Sequence, residues 1–254
     1  MKTIIQIIST LLLMSCGTER VYTTASYGAL KSYTEKQHYV DKKTSETYVS
    51  GNLSFGRHMQ DARAFDDTKT IASLNIHRNT TGRFYNCYYG LGASMGSYKF
   101  VEGYDGLVSD GEKKSFYNIY SKTGANYTYT RPKIDYRFIG LELAYNNEFG
   151  DYQKKITDLL KENDPDLIVV NQKSMFTYHL YSEYAFKQSS EKAITVGFYV
   201  GGLIGIEETD IFDGDTSFSG LTIGLRLKKY AISFIHETGQ NEIRSAKIGL
   251  AYQL

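Results

Sequence analysis

The sequence predicts an all-β protein whose antiparallel strands close into one up-and-down barrel. The first observation is composition, because the 254 residues include 23 Tyr, 23 Gly and 13 Phe but only 2 Pro and no Trp. This mixture favours strands and tight turns over helices. The second is alternation, since from residue 45 onward apolar residues recur at every second position, on one face of a strand. The third is the segment 243–254, which alternates to its last residue and is predicted to be the closing strand.

The barrel is predicted to occupy residues 46–254. We expect about ten strands, with eight as the alternative. They lie near residues 46–57, 68–79, 83–96, 114–130, 132–147, 173–187, 191–206, 216–227, 229–238 and 243–254. In the clearest strand, Ile194, Val196 and Phe198 share a face opposite Thr195 and Gly197. In chain order, further members of the apolar faces are Val49, Leu53, Phe55, Ala72, Leu74, Ile76, Tyr85, Tyr89, Leu91, Ile139, Leu141, Leu143, Phe176, Leu180, Leu221, Ile223, Leu225, Ile232, Phe234, Ile248 and Leu250.

The first 15 residues are predicted to be a signal peptide. Lys2 supplies the positive start, and the apolar run of residues 4–14 is too short to span a membrane as a helix. Leu13, Met14, Ser15 and Cys16 resemble the lipobox of bacterial lipoproteins. The resemblance implies cleavage before Cys16 and a lipid on its sulfur. An ordinary cleaved signal with an incidental cysteine is the alternative.

Residues 16–45 are expected to form a lipidated tether. Spaced tyrosines lie there among Thr, Ser, Lys and Glu without a sustained period of two. A plug inside the barrel and a segment that docks on a partner are the alternatives. With Cys16 lipidated, Cys87 is left without a disulfide partner, and we expect it to be a buried or lipid-facing small residue.

Alternation alone does not separate a membrane barrel from a soluble sandwich or a lipocalin-like barrel with an apolar interior. Several strands hold the pattern for the roughly 9 to 11 residues that a tilted strand needs to cross the hydrocarbon. Tyrosines fall near strand ends, as in an interfacial girdle, at Tyr127, Tyr129, Tyr145, Tyr178, Tyr230 and Tyr252. Gaps between strands alternate between long and short, as periplasmic turns and outer loops do. The sequence therefore favours a membrane barrel over a soluble sandwich or a lipocalin-like barrel.

In this pattern residues 45–254 resemble the small outer-membrane β-barrels of double-membraned bacteria. The resemblance implies an integral barrel in the outer membrane, in contact with its lipid, with both termini in the periplasm. Those barrels usually end in Phe, whereas this chain ends in Leu254.

Five ionisable side chains are predicted to face the lumen and to form a polar network: Glu142, His179, Glu183, Arg226 and Lys247. A narrow lumen fills with side chains, so inward charges need partners. Catalysis by His179 with Glu183 is the alternative, but Ser182 points to the opposite face from His179 and cannot serve as its nucleophile. We find no catalytic set, no zinc spacing and no phosphate-binding loop in the sequence, so we expect no enzyme activity, cofactor or metal.

Two of the predicted outer loops carry further signals. Acidic residues crowd residues 207–216, which could bind Ca²⁺ or form a solvated loop. Residues 153–162 place Ile156, Leu159 and Leu160 on one side of a helix, which could dock on a neighbour or pack on its own barrel.

The formal net charge is +1, from 29 basic and 28 acidic side chains, so no general field draws the chain to nucleic acid. We therefore expect a lipid-anchored outer-membrane barrel that serves as a structural or accessory subunit of a complex with other outer-membrane proteins. A barrel enzyme acting on membrane lipid and a narrow pore or small-ligand-binding barrel are the alternatives.

Overall fold

The computed structural model describes residues 20–27, 29–39, 42–59, 66–101, 107–162, 167–189, 191–204, 216–239 and 243–254. The predicted signal peptide, Cys16 and the acidic residues 207–215 lie outside the described residues. Among the residues described, no helix is long and apolar enough to cross a membrane.

Ten antiparallel strands form a closed barrel, which confirms the predicted fold class with ten strands and not eight. The strands are β2 (Thr44–Met59), β3 (Asp66–Thr81), β4 (Tyr85–Lys99), β5 (Lys113–Thr130), β6 (Ile134–Phe149), β8 (Ser174–Ser189), β9 (Lys192–Ile204), β10 (Phe218–Leu227), β11 (Tyr230–Gly239) and β12 (Arg244–Gln253). Each pairs with its neighbours in sequence, and β12 closes the barrel against β2 with Ile248 opposite Leu53. Three elements are not part of the barrel sheet: β1 (Arg20–Tyr22), α1 (Asp151–Glu162) and β7 (Leu167–Val169).

The two ends of the barrel differ. At one end the strands are joined by tight turns at residues 82–84, 131–133 and 228–229 and by the short step from Ser189 to Lys192, and we call it the turn end. At the other end, the loop end, longer connections leave the strands, including residues 150–173, which hold α1 and β7. Leu254 lies at the turn end, where its backbone N–H donates to the carbonyl of Thr47 at 3.0 Å, a length typical of a ladder bond.

The barrel exterior is apolar and its interior is polar. Ile139 is 81% exposed and Leu74 is 63% exposed, whereas the inward Asn75 is 2% exposed. The alternating faces run as the sequence predicts, and Cys87, a free thiol, lies half-buried in β4 between the outward Tyr85 and Tyr89. An exterior of this kind is stable against hydrocarbon and not against water.

Aromatic rings gather on the exterior near the turn end. Phe84 and Tyr127 stack with ring centroids 6.3 Å apart, and Tyr230 and Tyr252 lie 5.1 Å apart. Tyr127 and Tyr230 are each more than half exposed. This position suits the headgroup level of a bilayer, where amphipathic rings are favoured.

Helix α1 packs on its own barrel at the loop end. Ile156 and Leu159 are buried against Tyr152, Phe100 and Tyr22. Leu160, which was expected on the same side, lies in the last turn of the helix and is 50% exposed, so that expectation is wrong for this residue.

The tether predicted for residues 16–45 is contradicted for residues 22–38, which lie inside the barrel. Tyr27, Tyr33 and Lys36 are 3%, 6% and 2% exposed. The alternative of a plug is therefore what the structure shows. We call residues 22–38 the plug; of these, Gly28 lies outside the described residues.

Candidate functional site in the barrel lumen

The plug begins at the loop end. Strand β1 runs parallel to β7, so that Tyr22 lies opposite Val169, and the backbone N–H of Val170 donates to the carbonyl of Tyr22 at 2.8 Å. The hydroxyl of Tyr152, in α1, donates to the carbonyl of Thr23 at 2.7 Å. The same connection that carries α1 and β7 therefore holds the first residues of the plug.

Just below this entrance, one carboxylate binds the plug backbone. Glu148, in β6, accepts from the backbone N–H groups of Ala25 and Ser26 at 2.9 and 2.8 Å and from the Ser26 hydroxyl at 2.6 Å. The Gln153 amide donates to it at 2.7 Å. An anionic acceptor that satisfies two buried N–H groups fixes the position of the plug, because buried amides without partners are costly.

Midway through the lumen, Lys31 of the plug meets Glu142 of β6. The Lys31 ammonium lies 2.8 Å from Oε1 of Glu142, and the Tyr88 hydroxyl donates to Oε2 at 2.7 Å. Nδ1 of His179 lies 3.4 Å from Oε1. The carboxylate thus has partners from the plug and from β4, as a buried charge requires, and His179 of β8 lies beside it.

Two lysines of the barrel wall hold the plug backbone at the same level. Lys247 donates to the carbonyls of Ala29, at 2.8 Å, and Lys31. From the opposite wall Lys122 donates to the Ser32 hydroxyl at 2.7 Å. Ammonium groups with three donors each can satisfy several carbonyls of a segment that forms no ladder of its own.

Further toward the turn end, a second set of charges crosses from the plug to the wall. Both oxygens of Glu183 lie 2.7 Å from the Lys36 ammonium, and Arg137 lies 3.2 Å from Oε2. Arg137 also donates to the Lys36 carbonyl at 2.9 Å. Arg226 lies 3.6 Å from the Glu35 carboxylate. Acidic and basic groups of the plug are both matched by opposite charges on the wall.

The plug leaves the lumen at the turn end. His38 forms a short contact with Asp135, whose other oxygen lies 2.7 Å from the Lys187 ammonium. The Thr81 hydroxyl donates to the Gln37 carbonyl at 3.2 Å. The chain then enters β2 at this end.

These contacts fix the direction of the plug. As the plug proceeds from Ala25 to His38, its partners on β6 run backward from Glu148 to Asp135, so thirteen steps along the plug match thirteen steps along the strand. Such a segment is extended, because a helix would advance less than half as far. Arg20 and Leu254 therefore lie at opposite ends of the barrel, whereas both termini were expected on the periplasmic side; the N-terminal residues 1–19 lie outside the described residues.

Little space remains beside the plug. A cavity bordered by Ser32, Tyr120 and Lys247 has a volume of about 20 Å³. Another, bordered by Tyr27 and Met175, has about 10 Å³. A single water occupies roughly 10 to 15 Å³ on this measure, so each has room for about one water.

All five residues of the predicted polar network are buried in the lumen, between 0% and 8% exposed. Four of them contact the plug, and His179 contacts Glu142. Sequence reasoning missed their charged partners on the plug, which are Lys31, Glu35 and Lys36, and it also missed the pair of His38 with Asp135. Each inward charge implies that a partner lies nearby in the lumen. The sequence does not indicate where in the chain that partner lies.

The structure does not bring His179 and Glu183 together as a catalytic pair. His179 is 0% exposed and, within the described part of the chain, neither ring nitrogen has a hydrogen-bond partner. Glu183 is occupied by Lys36 and Arg137. Among the described residues, no group of three His, Cys, Asp or Glu side chains is placed to hold a metal ion.

No protein-family model matches the chain, and no curated protein matches it. Solved structures of outer-membrane barrels resemble its fold. The transport unit of the autotransporter AIDA-I from Escherichia coli is 12% identical, with 90% of this chain and 95% of that chain covered and a TM-score of 0.45. The translocator domain of NalP from Neisseria meningitidis is 8% identical, with 83% of this chain and 88% of that chain covered and a TM-score of 0.42. Neisserial surface protein A is 7% identical, with 84% of this chain and 100% of that chain covered and a TM-score of 0.35. Likenesses this weak carry no argument about what the chain does.

Proposed function

We propose that this protein is a plugged outer-membrane β-barrel that serves as a structural or accessory subunit of an outer-membrane assembly. The observation that carries the proposal is the lumen, which is occupied along its length by residues 22–38 of the same chain. A barrel closed in this way offers its partners its loops, its turns and its exterior. The proposal includes no catalytic role, because the inward ionisable groups serve to hold the plug.

The proposed orientation places the loop end outside the cell and the turn end in the periplasm. Short periplasmic turns and longer outer loops are the rule in bacterial barrels. Leu254 then lies in the periplasm. The proposal retains the lipid on Cys16, which rests on the lipobox-like residues 13–16.

The exposed side of α1 is the described surface best suited to a partner protein. Leu160 is half exposed, and the same helix carries two exposed ion pairs, Asp158 with Lys161 and Asp151 with Lys154. An exposed apolar residue with charged residues nearby suits a protein interface, whose core is apolar and whose rim is polar.

The test is the size of the protein in native membranes. We expect it to migrate on native gels, after extraction in mild detergent, as a complex well above its own 28.8 kDa. Replacing the exposed Leu160 and Lys161 of α1 with Ala should weaken that complex, whereas replacing Lys228 and Lys229 at the turn end serves as the control. Migration only as a monomer from native membranes would contradict the accessory role.

A pore that opens when the plug moves is the second candidate. The plug contributes no strand to the barrel, and ion pairs and hydrogen bonds join it to the wall. Its departure would therefore leave the ladder of the ten strands intact. Conductance measurements, described in the Discussion, separate this candidate from a permanently closed barrel.

A further inference from the structure

The direction of the plug has a consequence for the chain that precedes it. Arg20–Tyr22 pairs with Leu167–Val169, which belongs to the connection beyond the loop-end termini of β6 and β8. Tyr22 lies in the aromatic cluster of that end, 5.5 Å from Phe100 between ring centroids. The chain thus enters the lumen at the loop end and leaves it at the turn end.

We propose that the N-terminal end of the mature protein is displayed on the cell surface, threaded outward through its own barrel. The inference rests on the orientation proposed above, with the loop end outside. The barrel would then be the conduit through which its own N-terminal end reaches the exterior.

Chain length limits where residue 16 can lie. Cys16 precedes Arg20 by only four positions, and even a fully extended chain covers at most about 3.6 Å per residue, or roughly 14 Å. The apolar band of an outer-membrane barrel is about 25 Å tall. A lipid on Cys16 therefore cannot reach the periplasmic leaflet from the loop end, and it would insert into the outer leaflet beside the outer mouth of the barrel.

The contacts that hold this direction are distributed along the whole lumen. Glu148 binds the plug near the loop end, Glu142 binds it midway and Asp135 binds it at the turn end. A reversed plug would place Lys31 and Lys36 against different wall residues and would lose these pairs. The direction is therefore set by the order of charges along β6 and not by one contact.

The experiment labels single cysteines with a membrane-impermeant maleimide on intact cells, in a full-length chain carrying Cys87→Ser. Thr18→Cys reports the N-terminal end, Lys161→Cys in α1 reports the loop end and Lys229→Cys reports the turn end. The Cys87→Ser chain without a new cysteine gives the background from Cys16. Heat-modifiable migration on gels confirms that each variant is folded.

We expect Thr18→Cys to be labelled on intact cells to at least half the extent of Lys161→Cys, and Lys229→Cys only after the outer membrane is permeabilised. If Lys161→Cys is labelled on intact cells but Thr18→Cys only with Lys229→Cys after permeabilisation, the threading is wrong while the orientation stands. If Lys229→Cys is labelled on intact cells and Lys161→Cys is not, the proposed orientation itself is wrong.

A second variant decides the case in which Thr18→Cys resists the maleimide altogether. It carries a protease site inserted between Thr18 and Glu19, and its matched control carries the same site between Lys228 and Lys229. Cleavage on intact cells at the first site but not the second supports the threading. Cleavage at the first site only after permeabilisation overturns it.

Discussion

Lys31 and Glu142 form a buried ion pair across the barrel lumen, with 2.8 Å between the ammonium and the carboxylate. The two residues are 111 positions apart in the chain, one on an extended segment and the other on a strand of the wall. Their pairing joins the plug to the barrel at mid-height. It explains why a charged side chain is stable inside the lumen and how the plug keeps its position.

Replacing Lys31 with Ala should lower the free energy of unfolding by about 3 to 5 kcal/mol, because Glu142 would be left buried without its ammonium. The measurement is urea unfolding of the detergent-solubilised protein, followed by the change in gel mobility. The Lys31→Glu, Glu142→Lys double variant should recover part of the loss. Lys154→Ala, which removes an exposed ion pair with Asp151, is the control and should change nothing measurable. Equal behaviour of Lys31→Ala and the control would show that the pair contributes no stability.

Removal of the plug should open the lumen. We expect a chain lacking residues 20–38 to conduct ions in planar bilayers, whereas the complete chain stays closed, because the cavities beside the plug hold about one water each. A chain lacking only residues 17–19 keeps the plug and is the control. A deletion variant that folds but conducts no ions would mean that the side chains of the wall close the lumen by themselves, as in the narrowest barrels.

Gly224 makes room for Tyr33 of the plug. A Cβ at position 224 would lie 2.4 Å from the Tyr33 hydroxyl oxygen and 2.9 Å from Cζ, and the ring is buried. Gly224→Ala should therefore destabilise the protein by about 1 to 3 kcal/mol through overpacking. In a double-mutant cycle with Tyr33→Leu, the double variant should lose less stability than the sum of the losses in the two single variants. Gly51→Ala is the control, since its Cβ would meet nothing nearer than the Ser73 carbonyl at 3.8 Å. Full additivity would show that Tyr33 is not the obstacle.

The buried side of α1 should hold the entrance of the plug. Ile156→Ala removes a fully buried side chain from the cluster that includes Tyr22, so we expect a loss of about 2 to 5 kcal/mol and faster hydrogen exchange in both α1 and β1. Leu160→Ala, on the exposed side, should leave the exchange rates of both elements unchanged. Faster exchange confined to α1 would show that the helix does not secure the plug.

The exterior of the barrel should behave as a lipid-facing surface. Ile223 lies in the middle of β10, whereas Leu227 ends that strand at the turn end. Ile223→Arg should cost about 2 to 4 kcal/mol in the free energy of folding into lipid vesicles, and Leu227→Arg about 0 to 1 kcal/mol, because the cost of a charge falls toward the interface. Similar small costs at both positions would indicate that this face does not contact hydrocarbon.

The barrel could be predicted from the sequence because its signal is local. A strand with one face toward lipid and one toward the lumen must alternate apolar and polar residues. The faces of Ile194 and Thr195 can therefore be assigned without knowing which strands lie beside them. The tight turns and long loops follow from where the alternation stops. The inward positions of Glu142, Glu183 and Lys247 follow from the same parity.

The plug could not be predicted in this way. An extended segment surrounded on all sides by the barrel has no exposed face, so its residues need no periodicity, and residues 22–38 resemble a solvated linker in composition. Its charges give no sign of burial until their partners are placed. Lys36 is 147 residues from Glu183, and no local rule of spacing connects them.

The sequence by itself determined the ten strands, their inward and outward faces and the two unlike ends of the barrel, since each of these depends on the order of residues within one strand or turn. Only the tertiary structure decided what fills the lumen, in which direction the plug runs and at which end Arg20 lies. These depend on closure of the barrel, which brings charges from distant strands around one segment and leaves them a stable arrangement only when each finds its opposite.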